Sequence, residues 1–179
     1  MTQTAGRQEA GLLASAAAGD EIAFRHIIAV HHDDMRKVCM AISENRAIAE
    51  EATQSAWVIA WKRLSDVHDE DHLRPWLVTV AANEAKQLLR KRRRRAEVEV
   101  TADPAGVPGG IDPATDVVDI DVRDAMARLD PDDRALLALR YVAGFDSNDL
   151  AKAIGISPSG TRNRLERLLK RLREELDHG

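Results

Sequence analysis

Apolar residues recur at intervals of three and four along most of the first half of the chain, from Glu9 to about Arg95. This spacing places them on one face of a 3.6-residue helix and does not match the alternation of a strand. Polar breaks at Gly19-Asp20, at 43–45 and at 65–72 divide the stretch into four predicted helices. We expect Asp20 to cap the second helix and the fourth to begin near Pro75.

The helical pattern returns from Val122 to Leu176. Asp130-Pro131 is typical of a helix start, and a helix is predicted over about 134–142. A shorter helix is predicted over 147–154, followed by a turn in which Gly155 can take a positive φ. Ser157 and Pro158 are then suited to cap and begin a last, basic helix. The sequence therefore predicts an all-α protein.

Charge and composition separate the two helical halves. Residues 1–95 hold 15 basic against 13 acidic residues, and residues 125–179 hold ten against nine. Residues 96–124, between them, hold one basic residue, Arg123, and eight acidic residues. Within this segment, 96–121 is rich in proline, glycine and acidic residues and has no helical periodicity. Such a segment predicts a flexible linker. We thus expect two small helical domains, 1–95 and 122–179, joined by the linker 96–121.

Composition argues against several classes of protein. Aromatic residues are scarce, and the single Cys39 excludes an internal disulfide or a cysteine-based zinc cluster. No apolar stretch approaches the roughly 20 residues that cross a bilayer, and the first residues lack the order of a signal peptide. The six histidines show no metal-binding spacing, and no phosphate-binding or nucleophile motif is present. We expect a cytoplasmic protein that is not an enzyme and needs no cofactor.

The short helix 147–154, the turn at Gly155 and the basic helix after it indicate a helix-turn-helix, a motif that lays its second helix in the major groove of DNA. Residues near the start of that helix meet base edges, a position held here by Ser159, Thr161, Arg162 and Asn163. Arg164, Arg167 and Lys170 are better placed for phosphates. An ordinary solvated basic face is the alternative interpretation.

A second basic helix ends the first half, with seven positive charges within Lys86–Arg95. Tryptophans in this half could stack on unpaired bases. The helical spacing of Trp57 and Trp61 favours a core position for both. For Trp76, beside the polar loop, the core and the DNA interpretations are equally supported.

These residues together resemble the extracytoplasmic-function (ECF) group of RNA polymerase sigma factors. The run 50–57 with Ala60-Trp61, and the run 73–77 through Asn83 with the arginines behind it, are similar to their region 2. The run 129–140, Gly144, Leu150-Ala151 and the run 162–165 resemble their region 4. The resemblance covers nearly the whole chain, in the order that the family has.

The resemblance implies a role in transcription initiation. Region 2 would bind the clamp helices of the largest polymerase subunit through Glu50, Glu51 and Gln54. It would also open and hold the minus-ten promoter element through Arg74, Trp76, Asn83, Lys86 and Arg90. Region 4 would contact the polymerase flap and bind the minus-thirty-five duplex through Ser159, Thr161, Arg162, Asn163, Arg164 and Arg167. An anti-sigma factor is an expected further partner.

The chain departs from the family pattern at Gln87, usually Asp, at Ser159-Gly160, usually Gly-Thr, and at Asp149, usually Glu. Its 65–72 loop is also unusually acidic. These departures bear on which promoter is bound more than on the function. The alternative hypothesis is a helix-turn-helix regulator that acts without the polymerase core, but it gives residues 46–95 no role.

Overall fold

The computed structural model describes residues 11–100 and 125–177, and every regular element in these two ranges is helical. The elements of the first half are α1 (11–17), α2 (Glu21–Ser43), α3 (Arg46–Arg63), a 3-10 turn (Leu64–Asp66) and α4 (Glu70–Val100). Those of the second half are α5 (125–128), α6 (Pro131–Leu137) with a π-helical turn (Ala138–Val142), α7 (Ser147–Ile154) and α8 (Pro158–Asp177). The all-α prediction is confirmed.

Side-chain caps begin several of these helices where the sequence predicts them. The Asp20 carboxylate accepts hydrogen bonds from the backbone of Ile22 at 2.8 Å and Ala23 at 3.1 Å, which begins α2. Asn45 caps α3 in the same way, through the amide of Ile48. These bonds satisfy amide donors that the first turn of a helix leaves unpaired.

The start of α4 differs from the prediction. The helix begins at Glu70, so Pro75 lies inside its second turn. The Asp69 carboxylate accepts a hydrogen bond from the Asp71 amide at 3.0 Å, and Leu73 is buried in the core. Capping and burial therefore extend the helix by one turn ahead of the proline. The other end also differs, since α4 continues to Val100 where the linker was expected to begin at 96. The remainder of that linker, 101–121, lies outside the described residues.

The first half is a bundle in which α2, α3 and α4 pack around one core. Alanines line the α3 and α4 faces of this core and let the helix backbones approach closely: Ala49, Ala52, Ala56, Ala60, Ala81, Ala82 and Ala85 are all buried. Larger side chains from α2, such as Ile27, Met35 and Ile42, fill the remaining space. The scarcity of aromatic residues is thus met by close helix packing.

Only one of the two α3 tryptophans is in the core. Trp57 is 8% exposed, and its ring meets Phe24 edge to face at 5.7 Å. Trp61 also meets the Phe24 ring, with centroids 4.8 Å apart, but it remains 42% exposed, so its predicted core position is wrong. The Trp57 indole also donates a hydrogen bond to Nδ1 of His32 at 3.2 Å. His32 is therefore half-buried.

The second half is a smaller unit, and it packs directly against the first. Leu136, Phe145, Leu150 and Leu168 form its centre. Its α6 and the π-helical turn lie on α2 and α4, so that the buried apolar side chains of both halves form one continuous core. This packing places the start of α6 beside the basic stretch of α4.

Candidate nucleic-acid interface

The helix-turn-helix has the geometry that the sequence predicts. The Asp146 carboxylate caps α7 by accepting from the amides of Asn148 and Asp149, and the Asp149 carboxylate accepts from the Asp146 amide at 3.3 Å. This is a reciprocal capping box, in which Asp149 takes the place that Glu has in the family pattern. The backbone hydrogen bonds lower the pKa of Asp146. Gly155 ends α7 in the left-handed conformation with φ of 73°.

The start of α8 is fixed by Ser157. Its hydroxyl accepts a hydrogen bond from the Gly160 amide at 3.1 Å, and Pro158 is the first helical residue. A Cβ at position 160 would lie 3.1 Å from that same hydroxyl. The glycine therefore leaves room for the cap, which gives a local reason for the Ser159-Gly160 departure.

Four of the six residues predicted to meet the minus-thirty-five duplex lie exposed on α8. These are Ser159, Arg162, Asn163 and Arg167, and their spacing by three and four residues puts them on one face. Thr161 is fully buried, and its hydroxyl donates to the Ser157 carbonyl at 3.0 Å. Its side chain does not reach the surface here, which corrects its placement among the base-contacting residues. The cause is helical periodicity, since position 161 faces the core of the unit.

Arg164 has an intramolecular partner. Its guanidinium donates to the buried Asp133 carboxylate from Nε at 3.0 Å and from Nη2 at 2.7 Å. Arg171, two turns further along α8, donates to the other Asp133 oxygen at 3.5 Å. Asp133 thus ties α6 to α8. This role is not visible in the sequence, because Asp133 also suits the acidic first turn of a helix.

The five residues predicted for the minus-ten element all lie on α4. Trp76, Asn83 and Arg90 recur every seven residues and share one face with Lys86. Arg74 lies on another side of the helix, where its guanidinium binds Asp34 at 2.7 Å and the Ala143 carbonyl at 3.2 Å. The structure therefore groups four of these residues and separates the fifth.

A cavity of about 380 Å³ lies beside Trp76, between the start of α4 and α7. Asp66, Asp69 and His68 line it from the polar loop, and Phe145 and Lys152 line it from the second half. Asp69 is held by the Asp71 amide and by the His72 ring, and these hydrogen bonds lower its pKa. The acidic loop is therefore organised by its own hydrogen bonds.

The residues predicted to face the polymerase lie exposed along α3. Glu50 pairs with Arg46 at 2.9 Å, Glu51 lies 3.9 Å from Arg92 of α4, and Gln54 is exposed one turn further along. The same helix surface continues into two exposed apolar residues, Val58 and Trp61. These two residues were not predicted on the polymerase-facing surface, although helical spacing from Gln54 would have indicated them.

Residues 11–100 and 125–177 lack two further features. No helix there is long and apolar enough to cross a membrane. No group of three or more histidine, cysteine or acidic residues in the same ranges could hold a metal ion.

Comparison with known proteins identifies both halves. Residues 27–95 match the model of sigma-70 region 2, and residues 119–172 match that of sigma-70 region 4. RNA polymerase sigma factor CarQ of Myxococcus xanthus is 31% identical, over 88% of this chain and 91% of its own length. ECF sigma factor SigM of Mycobacterium tuberculosis is 27% identical, over 93% and 83%. The probable sigma factor RfaY of Xanthomonas campestris is 30% identical, but this chain spans only 43% of its length.

A solved structure shares the fold. The sigma factor RpoE of Bartonella quintana, crystallised with the anti-sigma factor NepR, matches with a TM-score of 0.69 and 25% identity. The match covers 86% of this chain and 96% of that one. With two region models in the expected order and relatives aligned over most of their length, the chain belongs to the sigma-70 family of RNA polymerase sigma factors, in its ECF group.

Proposed function

We propose that the chain binds the core of RNA polymerase in the cytoplasm and directs it to a specific set of promoters. The family consists of initiation factors that perform no catalysis of their own. In this chain, residues 1–95 would act as region 2, 96–121 as the linker, and 122–179 as region 4. The observation that carries the proposal is the presence of two separate basic surfaces, on α4 and α8, within domains of the two matched regions.

The two surfaces suit two forms of DNA. The exposed face of α8 presents Arg162, Asn163 and Arg167, and an arginine there can pair with guanine through two hydrogen bonds in the major groove. The face of α4 presents an aromatic ring, an amide and two cations, a combination suited to a single strand with unstacked bases. We therefore assign α8 to the minus-thirty-five duplex and α4 to the melted minus-ten element.

The polymerase contacts are proposed on the other sides of the molecule. Glu50, Glu51 and Gln54 on α3 are exposed and suited to the clamp helices of the largest subunit. Region 4 would contact the flap. Because the structural relative RpoE was solved with an anti-sigma factor, we also propose that an anti-sigma factor binds this chain.

Dependence on core polymerase tests this proposal against the helix-turn-helix regulator. The chain is titrated onto a library of duplex promoter fragments, with and without core enzyme, and bound fragments are sequenced. We expect a shared sequence motif to be enriched only when core is present. Enrichment of the same motif by the chain alone, at comparable protein concentration, would favour the regulator.

A further inference from the structure

The contacts between the two halves use residues that the proposed function assigns to promoter DNA. Nζ of Lys86 lies 3.3 Å from one carboxylate oxygen of Asp132, at the start of α6. The Arg90 guanidinium donates to the other oxygen of the same carboxylate. Arg74 donates through both terminal nitrogens to the Ala143 carbonyl, where the π-helical turn ends. Three of the five minus-ten residues are therefore occupied by the second half.

Asp132 presents to α4 the chemistry of a DNA phosphate. Its two oxygens each accept from a different cation, and Lys86 and Arg90 are spaced four residues apart on one face of the helix. Burial by itself would raise the pKa of Asp132, but the charges and hydrogen bonds of Lys86 and Arg90 outweigh it and lower the pKa. The carboxylate is thus ionised at neutral pH and competes directly with phosphate oxygens for the same two side chains.

A further polar contact across this interface has its cation on the second half of the chain. Arg134, two residues after Asp132, donates to the Ile42 carbonyl at 3.2 Å, at the C-terminal end of α2. A cation is favourable there because the carbonyls at that end of a helix carry partial negative charge. Together with the shared apolar core, these polar contacts define one closed arrangement, in which α6 covers part of α4.

We propose that region 4 is an intramolecular inhibitor of region 2, in which Asp132 occupies Lys86 and Arg90 until a DNA strand displaces it. This inference rests on the proposed function, since it takes the minus-ten role of α4 as given. A chain that spends most of its time closed has an apparent affinity for DNA reduced by the fraction of open molecules. A simple structural ion pair, by contrast, would leave DNA affinity unaffected by its removal.

Two readouts on the full chain test the proposal. Dyes are attached to cysteines introduced at exposed Ala29 on α2 and exposed Arg173 on α8, and single-molecule energy transfer counts closed and open molecules. Native Cys39 is fully buried and stays unlabelled in the folded protein. In parallel, fluorescence anisotropy measures binding of a mixed-sequence single-stranded DNA oligonucleotide.

The variants separate closure from charge. Asp132→Asn removes the carboxylate charge, and Glu166→Gln removes one acidic charge from an exposed position on α8. We expect the first to raise the open fraction and tighten oligonucleotide binding about three- to tenfold, and the second to change binding much less. Asp132→Lys should open the molecule further, and adding Lys86→Glu with Arg90→Glu should close it again.

Each other outcome counts against a defined part of the account. An open fraction that is unchanged in both Asp132 variants overturns the latch. Opening with the same oligonucleotide affinity as in the Glu166→Gln control overturns the inhibition. If Asp132→Lys opens the molecule but no protein, wild type included, binds the oligonucleotide, the minus-ten role of α4 fails and the inhibition fails with it.

Discussion

At the scale of single residues, Asp133 and Cys39 show how one buried side chain can hold two helices together. Asp133 holds two arginines of α8 from α6, and its side chain is only 12% exposed. Cys39 lies fully buried, with its thiol donating to the Ala81 carbonyl of α4 at 3.4 Å. Each contact joins two helices, so each makes a measurable contribution to stability.

Asp133→Asn should destabilise the protein by about 2 kcal/mol, because it removes a charged acceptor from a mostly buried network. Urea unfolding followed by circular dichroism measures this change. Glu166→Gln is the control and should change the free energy of unfolding by less than about 0.5 kcal/mol. Equal midpoints for the two variants would contradict the bridging role of Asp133.

Cys39 predicts a specific dependence of stability on alkaline pH. Burial raises the pKa of its thiol from 9.0 to about 11. A raised pKa means that the thiol contributes stability below pH 9, and that this contribution is lost as pH rises from 9 through 11. Between pH 8 and 10.5 the loss should be about 2 kcal/mol. The test is the difference in unfolding free energy between wild type and Cys39→Ala over that interval. Parallel curves for the two proteins would contradict it.

At the scale of elements, the sequence predicted most helices because their ends carry local signals. Asp20, Asp130, Ser157 and Gly155 all act where capping rules place them. The exceptions depended on the tertiary structure. The start of α4 precedes Pro75 because Leu73 is buried. The preference of proline for the first turn of a helix carries no information on such burial.

The candidate site was predictable to the extent that it follows helical periodicity. Periodicity identifies the exposed face of α8, but it did not separate Thr161 from its exposed neighbours, and Thr161 faces the core. The spacing of Trp61 relative to Trp57 favours a core position, but contact with Phe24 leaves Trp61 42% exposed. The partners of Arg74, Lys86 and Arg164 come from distant segments, so no local pattern could reveal them.

The turn between α7 and α8 supports a prediction on Gly155. Its φ of 73° is strained for any residue with a Cβ, although the surrounding space is open. Gly155→Ala should therefore cost about 1 kcal/mol of stability through backbone strain alone. Gly11→Ala is the matched control, since it also has open space but no positive φ. Thermal unfolding of both variants is the measurement, and similar Tm values would contradict the strain.

At the scale of the whole molecule, the closed arrangement gives the two basic helices unequal access to DNA. The exposed face of α8 is available, whereas Lys86 and Arg90 of α4 are paired with region 4. In the free chain, DNA therefore has access to the exposed face of α8, and access to Lys86 and Arg90 requires that α6 separates from α4.

Arg162→Ala should weaken binding of the holoenzyme to closed promoter DNA by about five- to a hundredfold, as expected for loss of one base-contacting arginine. Arg173→Ala removes the same charge near the exposed end of α8, away from the motif turn, and serves as the control. Mobility-shift titrations at low temperature, where strands stay paired, measure the affinities. An equal effect of both variants would indicate general charge attraction instead of recognition.

Asn83→Ala should leave closed binding intact and impair strand opening, because Asn83 lies on the face of α4 assigned to the single strand. Permanganate reactivity of thymines around the start site reports opening. Reduced closed binding in this variant would contradict the division of labour between the two helices.

The most direct test of the central claim is transcription reconstituted from purified components. Core RNA polymerase, a promoter fragment selected with this chain, and nucleotides are combined, and RNA 5′ ends are mapped with and without the chain. We predict that transcription begins at a defined start site only when the chain is present, and that this start is lost with Asn83→Ala. An equal amount of RNA from that start site without the chain, or less RNA when the chain is added, would contradict this prediction.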